Sequence, residues 1–168
     1  MKCVILFRHG KSNWSAIYNK DYERPLAERG ILASKKMGIF IAEKNEIPDL
    51  VISSPAIRTH NTAKLAIEAG GWDSVTTLTL SDSLYLASPS KIISLLSKQK
   101  KIYSSICIVG HEPSMSSFIN NQTNQRNSKY PTCTMAMINF DIDHWSEIKK
   151  RKGTLMWLKR PKKDIETF

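Results

Sequence analysis

The amino-acid sequence predicts an α/β fold, a three-layer sandwich with a mainly parallel central sheet flanked by helices. Short apolar runs rich in β-branched residues alternate with stretches whose apolar residues recur at helical spacing. Strands that alternate with helices in this way form parallel βαβ units, and the helices then cover both faces of the sheet. The 168 residues suffice for one core but are few for two, so we expect a single domain over residues 1–168.

Six apolar runs indicate the strands of this sheet. The first run ends at Arg8, where a polar stretch containing a glycine begins, which is typical of a buried strand that leads into a loop. The fourth run ends in the same way, at Gly110. The predicted strands cover residues 2–7, 50–53, 75–80, 105–109, 134–140 and 154–158.

Four stretches between these runs indicate helices. In the first stretch, the apolar residues at i, i+4, i+7 and i+8 form one helical face: Ala33, Met37, Phe40 and Ile41. A Ser-Pro pair opens the second and third stretches, as is typical of a helix start. The predicted helices cover residues 26–45, 54–69, 88–96 and 113–120, and the Asn-, Gln- and Ser-rich residues 120–129 are predicted as an exposed loop.

Composition limits the classes of partner and location. No apolar run approaches the roughly 18 residues of a membrane helix, and the N-terminus lacks the pattern of a secretion signal, so we expect a cytoplasmic protein with no membrane partner and favour a monomer. The net charge of +10 is concentrated in a basic C-terminal segment, residues 149–163. This segment either attracts anionic partners or is a solvated surface. Nucleic-acid binding is not expected, because interleaved aromatic residues and a recognisable module are both missing.

Unusual polar residues follow three of the predicted strands directly. Arg8-His9-Gly10 follows the first, Ser54-Pro55 with Arg58 follows the second, and Gly110-His111-Glu112-Pro113 follows the fourth. Ligands of open α/β sheets bind at the carboxyl ends of the strands, where these three loops converge if the strands are parallel neighbours. Two arginines and two histidines at one place predict a site for a dianion.

The residue types in this cluster suit phosphoryl transfer. A guanidinium matches phosphate oxygens bidentately and stays charged, so Arg8 and Arg58 are suited to clamp a phosphoryl group. His9 is suited to act as nucleophile if one ring nitrogen is free, with His111 as a donor to the transferring oxygens. We expect no metal and no cofactor, because the arginines repel a cation and no carboxylate or cysteine completes a ligand set.

The three motifs, in this order, resemble the signatures of the histidine phosphatase superfamily, which includes the phosphoglycerate mutases. The short chain and the sequence Glu23-Arg24-Pro25-Leu26 followed by Gly30 look most like the SixA-type phosphohistidine phosphatases. This resemblance implies a phosphoglycerate mutase-like fold, a phosphorylated intermediate on His9, and a phosphate pocket of Arg8, Arg58 and His111. It also implies a further substrate contact from Arg24.

The resemblance further implies a carboxylic acid after a strand near the middle of the chain, and Asp82 is the candidate general acid. The alternative is that Asp82 only caps a turn. The expected function is a metal-independent phosphatase for a phosphohistidine in a protein. The alternatives are a phosphatase for a small phosphoester and a non-catalytic phosphate-binding module.

Overall fold

Six strands form one sheet in the computed structural model, which describes residues 1–165. Their order across the sheet is β3-β2-β4-β1-β5-β6. The first four are mutually parallel, β5 is antiparallel to β1, and β6 is antiparallel to β5. The predicted mainly parallel sheet is therefore confirmed. The strands are β1 (Lys2–Arg8), β2 (Leu50–Ser53), β3 (Thr77–Leu80), β4 (Ser105–Gly110), β5 (Met135–Phe140) and β6 (Thr154–Lys159).

Helices cover both faces of the sheet and complete the predicted three-layer sandwich. They are α1 (Glu28–Glu43), α2 (Ile57–Gly70), α3 (Pro89–Ser97) and α4 (Ser114–Gln122). One core cluster joins α1 and α2 to the face that carries Ile5 and Phe7, and the other joins α3 and α4 to the face that carries Val4 and Leu6. Alternate residues of β1 thus enter opposite cores, as the twofold periodicity of a strand requires.

Several sequence-based boundaries differ from the structure by one to three residues. The exposed loop predicted over residues 120–129 begins later, because α4 continues to Gln122 and Thr123 is buried, its hydroxyl donating to the carbonyl of Ile119. Helix α1 begins at Glu28, two residues after its predicted start. The single-domain prediction extends to residue 168, and residues 166–168 lie outside the described part of the chain. Within residues 1–165, no helix is both long and apolar enough to cross a bilayer.

The sheet order places three loops side by side. Strands β2, β4 and β1 are neighbours, and their carboxyl ends align, with Ser53 opposite Val109 and Phe7 opposite Val109 on the other side. The residues that follow these ends are the three polar motifs of the sequence. The fold therefore brings the predicted dianion-binding loops to one edge of the sheet.

Candidate active site

A pocket with a volume of about 230 Å³ opens at the carboxyl edge of the sheet. It is formed by the loops after β1, β3 and β4, by the first turn of α2, and by the loop before β5. Five predicted substrate or catalytic residues line it: Arg8, His9, Arg24, Arg58 and His111. The other lining residues are Lys11, Ser12, Trp14, Leu86, Glu112 and Thr132.

His9 is buried, and its ring is held by the backbone. Nδ1 lies 2.7 Å from the carbonyl oxygen of Gly10, so Nδ1 carries the proton and Nε2 keeps its lone pair. Burial lowers the pKa of His9 to about 4; the Gly10 hydrogen bond opposes this shift, and the charges of Arg58, Arg8 and Arg24 reinforce it. The ring is therefore neutral at pH 7, which is the state a nitrogen nucleophile requires.

His111 stands beside His9 at the floor of the pocket, with 5.5 Å between the ring centroids. Its Nε2 lies 2.9 Å from Oγ of Ser54, and Nη2 of Arg58 lies 3.4 Å from its Nδ1. Burial, followed by the charge of Arg58, lowers the pKa of His111 to about 3. Its ring is thus also neutral, with Nδ1 accepting from Arg58 and Nε2 donating to Ser54.

Each of the three pocket arginines is anchored through terminal nitrogens. Nη1 of Arg8 donates to the carbonyl of Tyr130 at 2.8 Å, and Nη1 of Arg24 donates to Oδ1 of Asp21 at 2.6 Å. Arg58 donates from both terminal nitrogens to Asp21. In all three, the Nε atom is buried without a hydrogen-bond partner within residues 1–165. The same three guanidinium groups line the pocket, where their charge is suited to bind the oxygens of a phosphoryl group.

The loop that carries His9 and Gly10 is fixed by close packing against the start of α1. The amide of Gly10 donates to Oγ1 of Thr62 on α2, and the carbonyl of His9 accepts from the amide of Cys133. A Cβ atom at Gly30 would lie 2.3 Å from the carbonyl oxygen of Lys11. Only glycine allows this approach, which explains why Gly30 accompanies the Arg-His-Gly motif.

Asp82, the predicted general acid, is not among the residues that line this pocket. It is exposed at the start of a 3-10 turn, Asp82–Leu84, where its carbonyl accepts from the amide of Tyr85. Strand β3 lies at the edge of the sheet, three strands away from β1. Of the loop that follows β3, only Leu86 lines the pocket. The geometry favours the alternative, in which Asp82 begins a turn.

Sequence reasoning missed three residues that contact the predicted ones: Asp21, Ser54 as a partner of His111, and Tyr85. Asp21 lies three residues before Arg24, and this spacing of opposite charges was the one available signal. Its contacts with Arg58 and Tyr85 span 37 and 64 residues of chain, and no local pattern indicates them. Within residues 1–165, no cluster of three or more His, Cys, Asp or Glu side chains has a metal-binding arrangement.

Comparison with known sequences finds a family similarity in the first half of the chain. Residues 4–84 match the family model described as "Histidine phosphatase superfamily (branch 1)". A 2,3-bisphosphoglycerate-dependent phosphoglycerate mutase of Bifidobacterium longum (strain DJO10A) is 37% identical over 68 residues, which are 39% of this chain. The matched region spans only 28% of the length of that curated relative.

Solved structures share the whole described fold. The protein histidine phosphatase SixA complexed with tungstate superposes with a TM-score of 0.80, at 18% identity over 95% of this chain and 97% of that one. A mycobacterial glucosyl-3-phosphoglycerate phosphatase with VO3 superposes with a TM-score of 0.69, at 10% identity over 94% and 98% of the two chains. At these identities, the likeness concerns the fold.

Proposed function

We propose that this chain is a member of the histidine phosphatase superfamily and a metal-independent phosphatase that works through a phosphohistidine intermediate on His9. The single observation that carries the proposal is the state of His9. Its Nδ1 is occupied by the Gly10 carbonyl, its Nε2 is free, and its ring is neutral beside the buried guanidinium groups. This is a nucleophile placed where a dianion binds.

In the first step, the Nε2 lone pair of His9 attacks the phosphorus atom. The Nε2–P bond forms while the bond from phosphorus to the leaving group breaks, and the electron pair of that bond stays with the leaving atom. The guanidinium groups of Arg8, Arg24 and Arg58, which line the pocket, stabilise the negative charge that spreads over the equatorial oxygens in the transition state.

In the second step, water attacks the phosphorus of the phosphohistidine. The Nε2–P bond breaks, its electron pair returns to Nε2, and dihydrogen phosphate leaves and loses a proton to solvent. The Gly10 carbonyl keeps Nδ1–H in place throughout, so the ring passes through the cycle in one orientation.

The available acids point to a substrate with a good leaving group. A hydrogen bond from Tyr85, followed by one from Arg58, lowers the pKa of Asp21, which is ionised at neutral pH. Both carboxylate oxygens of Glu112 accept hydrogen bonds from Ser116, one from its amide and one from its hydroxyl. An imidazole already protonated on its second nitrogen leaves as a neutral molecule and needs no acid. We therefore favour a phosphohistidine in a protein as substrate.

The donor set of the pocket favours a mechanism without a metal. Three guanidinium groups and Lys11 line it, and their positive charge opposes a divalent cation. The same charges bind a phosphoryl dianion directly and stabilise the charge that develops on it. Protein side chains thus bind the substrate, stabilise the developing charge and supply the nucleophile.

The test is hydrolysis of phenyl phosphate and of a phosphohistidine protein by wild type, His9→Ala and His60→Ala, with and without a chelator. His60 is the matched control, because it lies on α2 outside the pocket lining. We expect chelator-insensitive turnover by wild type and His60→Ala, and none by His9→Ala. Acid and alkali quenching then detects an acid-labile, alkali-stable phosphoenzyme in the two active proteins.

Two outcomes would contradict the proposal. Turnover that persists in folded His9→Ala would mean that another group is the nucleophile. Absence of turnover and of phosphoenzyme with both substrates, while inorganic phosphate still binds, would favour the non-catalytic phosphate-binding module. Turnover of phenyl phosphate without turnover of the phosphohistidine protein would instead favour a small phosphoester as substrate.

A further inference from the structure

Asp21 does not line the pocket, yet it contacts two of the three pocket arginines. It lies on the 3-10 turn Asp21–Glu23, in the loop between β1 and α1. Its Oδ1 accepts from Nη1 of Arg24 at 2.6 Å, and its Oδ2 accepts from Nη2 of Arg58 at 3.0 Å. Its backbone carbonyl accepts from Nη1 of Arg58 at 2.9 Å. One residue thus fixes two guanidinium groups that lie 34 positions apart in the sequence.

Tyr85 fixes Asp21 in turn. Its hydroxyl donates to Oδ2 of Asp21 at 2.6 Å, and its ring packs edge-on against His111 with 5.4 Å between centroids. Tyr85 belongs to the loop after β3, and Asp21 to the loop after β1. The hydrogen bond therefore ties together two loops that both contribute to the pocket wall.

Asp21 holds both arginines from outside the pocket. It engages their terminal nitrogens, and both side chains line the pocket that Asp21 itself does not line. A guanidinium that is held on one edge presents its other edge in a fixed direction. We propose that Asp21, held by Tyr85, is a positioning residue that orients Arg24 and Arg58 toward a bound phosphoryl group.

A carboxylate near an anion site has a second, opposite effect, because its charge repels the ligand. The side chain of Asp21 is 47% exposed, so solvent screens this repulsion. The side chains of Arg24 and Arg58 are only 7% and 4% exposed, so the loss of their anchor is not compensated by water. Orientation thus outweighs repulsion, and removal of the carboxylate charge weakens phosphate binding.

The experiment compares Asp21→Asn with Glu23→Gln in the full chain. Glu23 is on the same turn, and within residues 1–165 its carboxylate accepts a hydrogen bond only from the amide of Asn19. Both variants therefore remove one negative charge, but only Asp21→Asn removes contacts with the arginines. Calorimetry with inorganic phosphate and kcat/KM with phenyl phosphate are the readouts. We expect Asp21→Asn to weaken phosphate binding and to lower kcat/KM by about tenfold each, a loss typical of one charge-assisted hydrogen bond. Glu23→Gln stays within twofold of wild type.

A double-mutant cycle separates positioning from a general structural role. If Asp21 acts through Arg58 as well as Arg24, adding Asp21→Asn to Arg58→Lys costs about threefold instead of about tenfold, because one of the two groups it positions is already gone and only the Arg24 contact remains. If Arg58→Lys does not fold, Arg24→Lys replaces it in the cycle. Tyr85→Phe alone gives a smaller loss, about threefold, since it removes one of the groups that hold Asp21.

Three results would overturn the inference. Tighter phosphate binding in Asp21→Asn would mean that Asp21 competes with phosphate for the arginines. Equal effects of Asp21→Asn and Glu23→Gln would mean that only the surface charge of Asp21 matters. Fully additive losses in the cycle would remove the link to Arg58. The inference rests on the proposed phosphate pocket but not on turnover: if the chain binds phosphate without hydrolysing any substrate, the calorimetric cycle still decides the role of Asp21.

Discussion

The imidazole rings of His9 and His111 lie 5.5 Å apart, tilted by 58°, beside the guanidinium of Arg58. Burial keeps both rings neutral, with the pKa of His9 at about 4 and that of His111 at about 3. The proposed phosphate pocket thus contains two neutral histidines, one with a free Nε2 and one hydrogen-bonded through both nitrogens. This arrangement links the chemistry of the pocket to the stability of the protein.

The first prediction concerns the pH dependence of stability. Both histidines bind protons in the unfolded chain at a pKa of about 6.5 but in the folded chain only at about 4 and about 3. Their contribution is fully present above about pH 6.5, and it is lost as the pH falls toward these folded values, at up to about 1.4 kcal/mol per pH unit for each histidine. Urea unfolding between about pH 7 and pH 4.5 measures this slope.

The control for this prediction is His111→Gln, which removes one of the two groups. His9 and His111 together make the free energy of unfolding rise with pH between about pH 5 and pH 6. In His111→Gln, about half of this rise should be lost. An unchanged slope would mean that His111 titrates in the folded protein at its ordinary pKa.

The second prediction concerns Trp14 at the pocket wall. The central carbon of the Arg24 guanidinium lies 3.5 Å from the centroid of the Trp14 ring, which is itself 64% exposed. A cation–π contact of this kind at an exposed site contributes about 0.5–1 kcal/mol, so Trp14→Ala should weaken phosphate binding about two- to fivefold. Trp14→Phe keeps an aromatic face and should retain most of the affinity. If calorimetry finds the same phosphate affinity for Trp14→Ala and Trp14→Phe, the aromatic ring has no role in binding.

The third prediction concerns Gly30. A Cβ here meets the backbone of Lys11 at 2.3 Å, so Gly30→Ala displaces the loop that carries His9. We expect a loss of about 1–3 kcal/mol in the free energy of unfolding and a fall in kcat/KM of about a hundredfold, since small misplacements of reacting groups are costly.

Gly71→Ala is the matched control for Gly30. Gly71 has a φ of 68° and open space around its Cβ direction, and it ends α2 away from the pocket. Gly71→Ala should cost about 1 kcal/mol of stability through backbone strain and leave kcat/KM unchanged. Similar kcat/KM losses in both variants would mean that the effect of Gly30 is global.

The fold was largely predictable because its strands and helices carry strong local patterns. The helical face predicted for α1 packs into the core: Met37 and Ile41 are buried, and Ala33 and Phe40 are partly buried against the same cluster, since the helical period fixes which residues face the sheet. The predicted end of α4 was wrong because the last residues of this helix are polar. The hydrogen bond between Thr123 and Ile119 leaves no pattern of apolar residues by which the sequence could reveal it.

The site was predictable where residues directly follow strands, and not where they lie within irregular loops. Arg8, Arg58 and His111 are placed by the ends of adjacent strands or by the helix that follows, so the order of elements suffices. Asp82 also follows a strand, but β3 is at the edge of the sheet, and its loop turns Asp82 to solvent. Asp21 contacts Arg58 from a loop without periodicity, so only three-dimensional packing identifies it.

The last prediction concerns the basic segment, residues 149–163, which strand β6 divides. Lys159 pairs with Met135, which pairs with Phe7, while Thr154 pairs with Asn139, which pairs with Cys3. Residues after β6 therefore lie toward the edge of the sheet that carries the pocket, and Lys149–Lys152 lie toward the opposite edge. At the pocket edge, Arg160 is paired with Asp164 at 2.8 Å, so Lys162 and Lys163 carry the exposed charge there.

If this charge steers anionic substrates, its position should matter as well as its sign. Lys162→Glu with Lys163→Glu should lower kcat/KM for an anionic phosphoprotein about three- to tenfold at low ionic strength, and the loss should vanish near about 0.5 M salt, where screening is nearly complete. Lys149→Glu with Lys150→Glu changes the net charge equally at the far edge and should lower kcat/KM less than twofold. Equal losses from both pairs would mean that the segment acts only through net charge, because electrostatic steering toward a pocket depends on the distance of each charge from it.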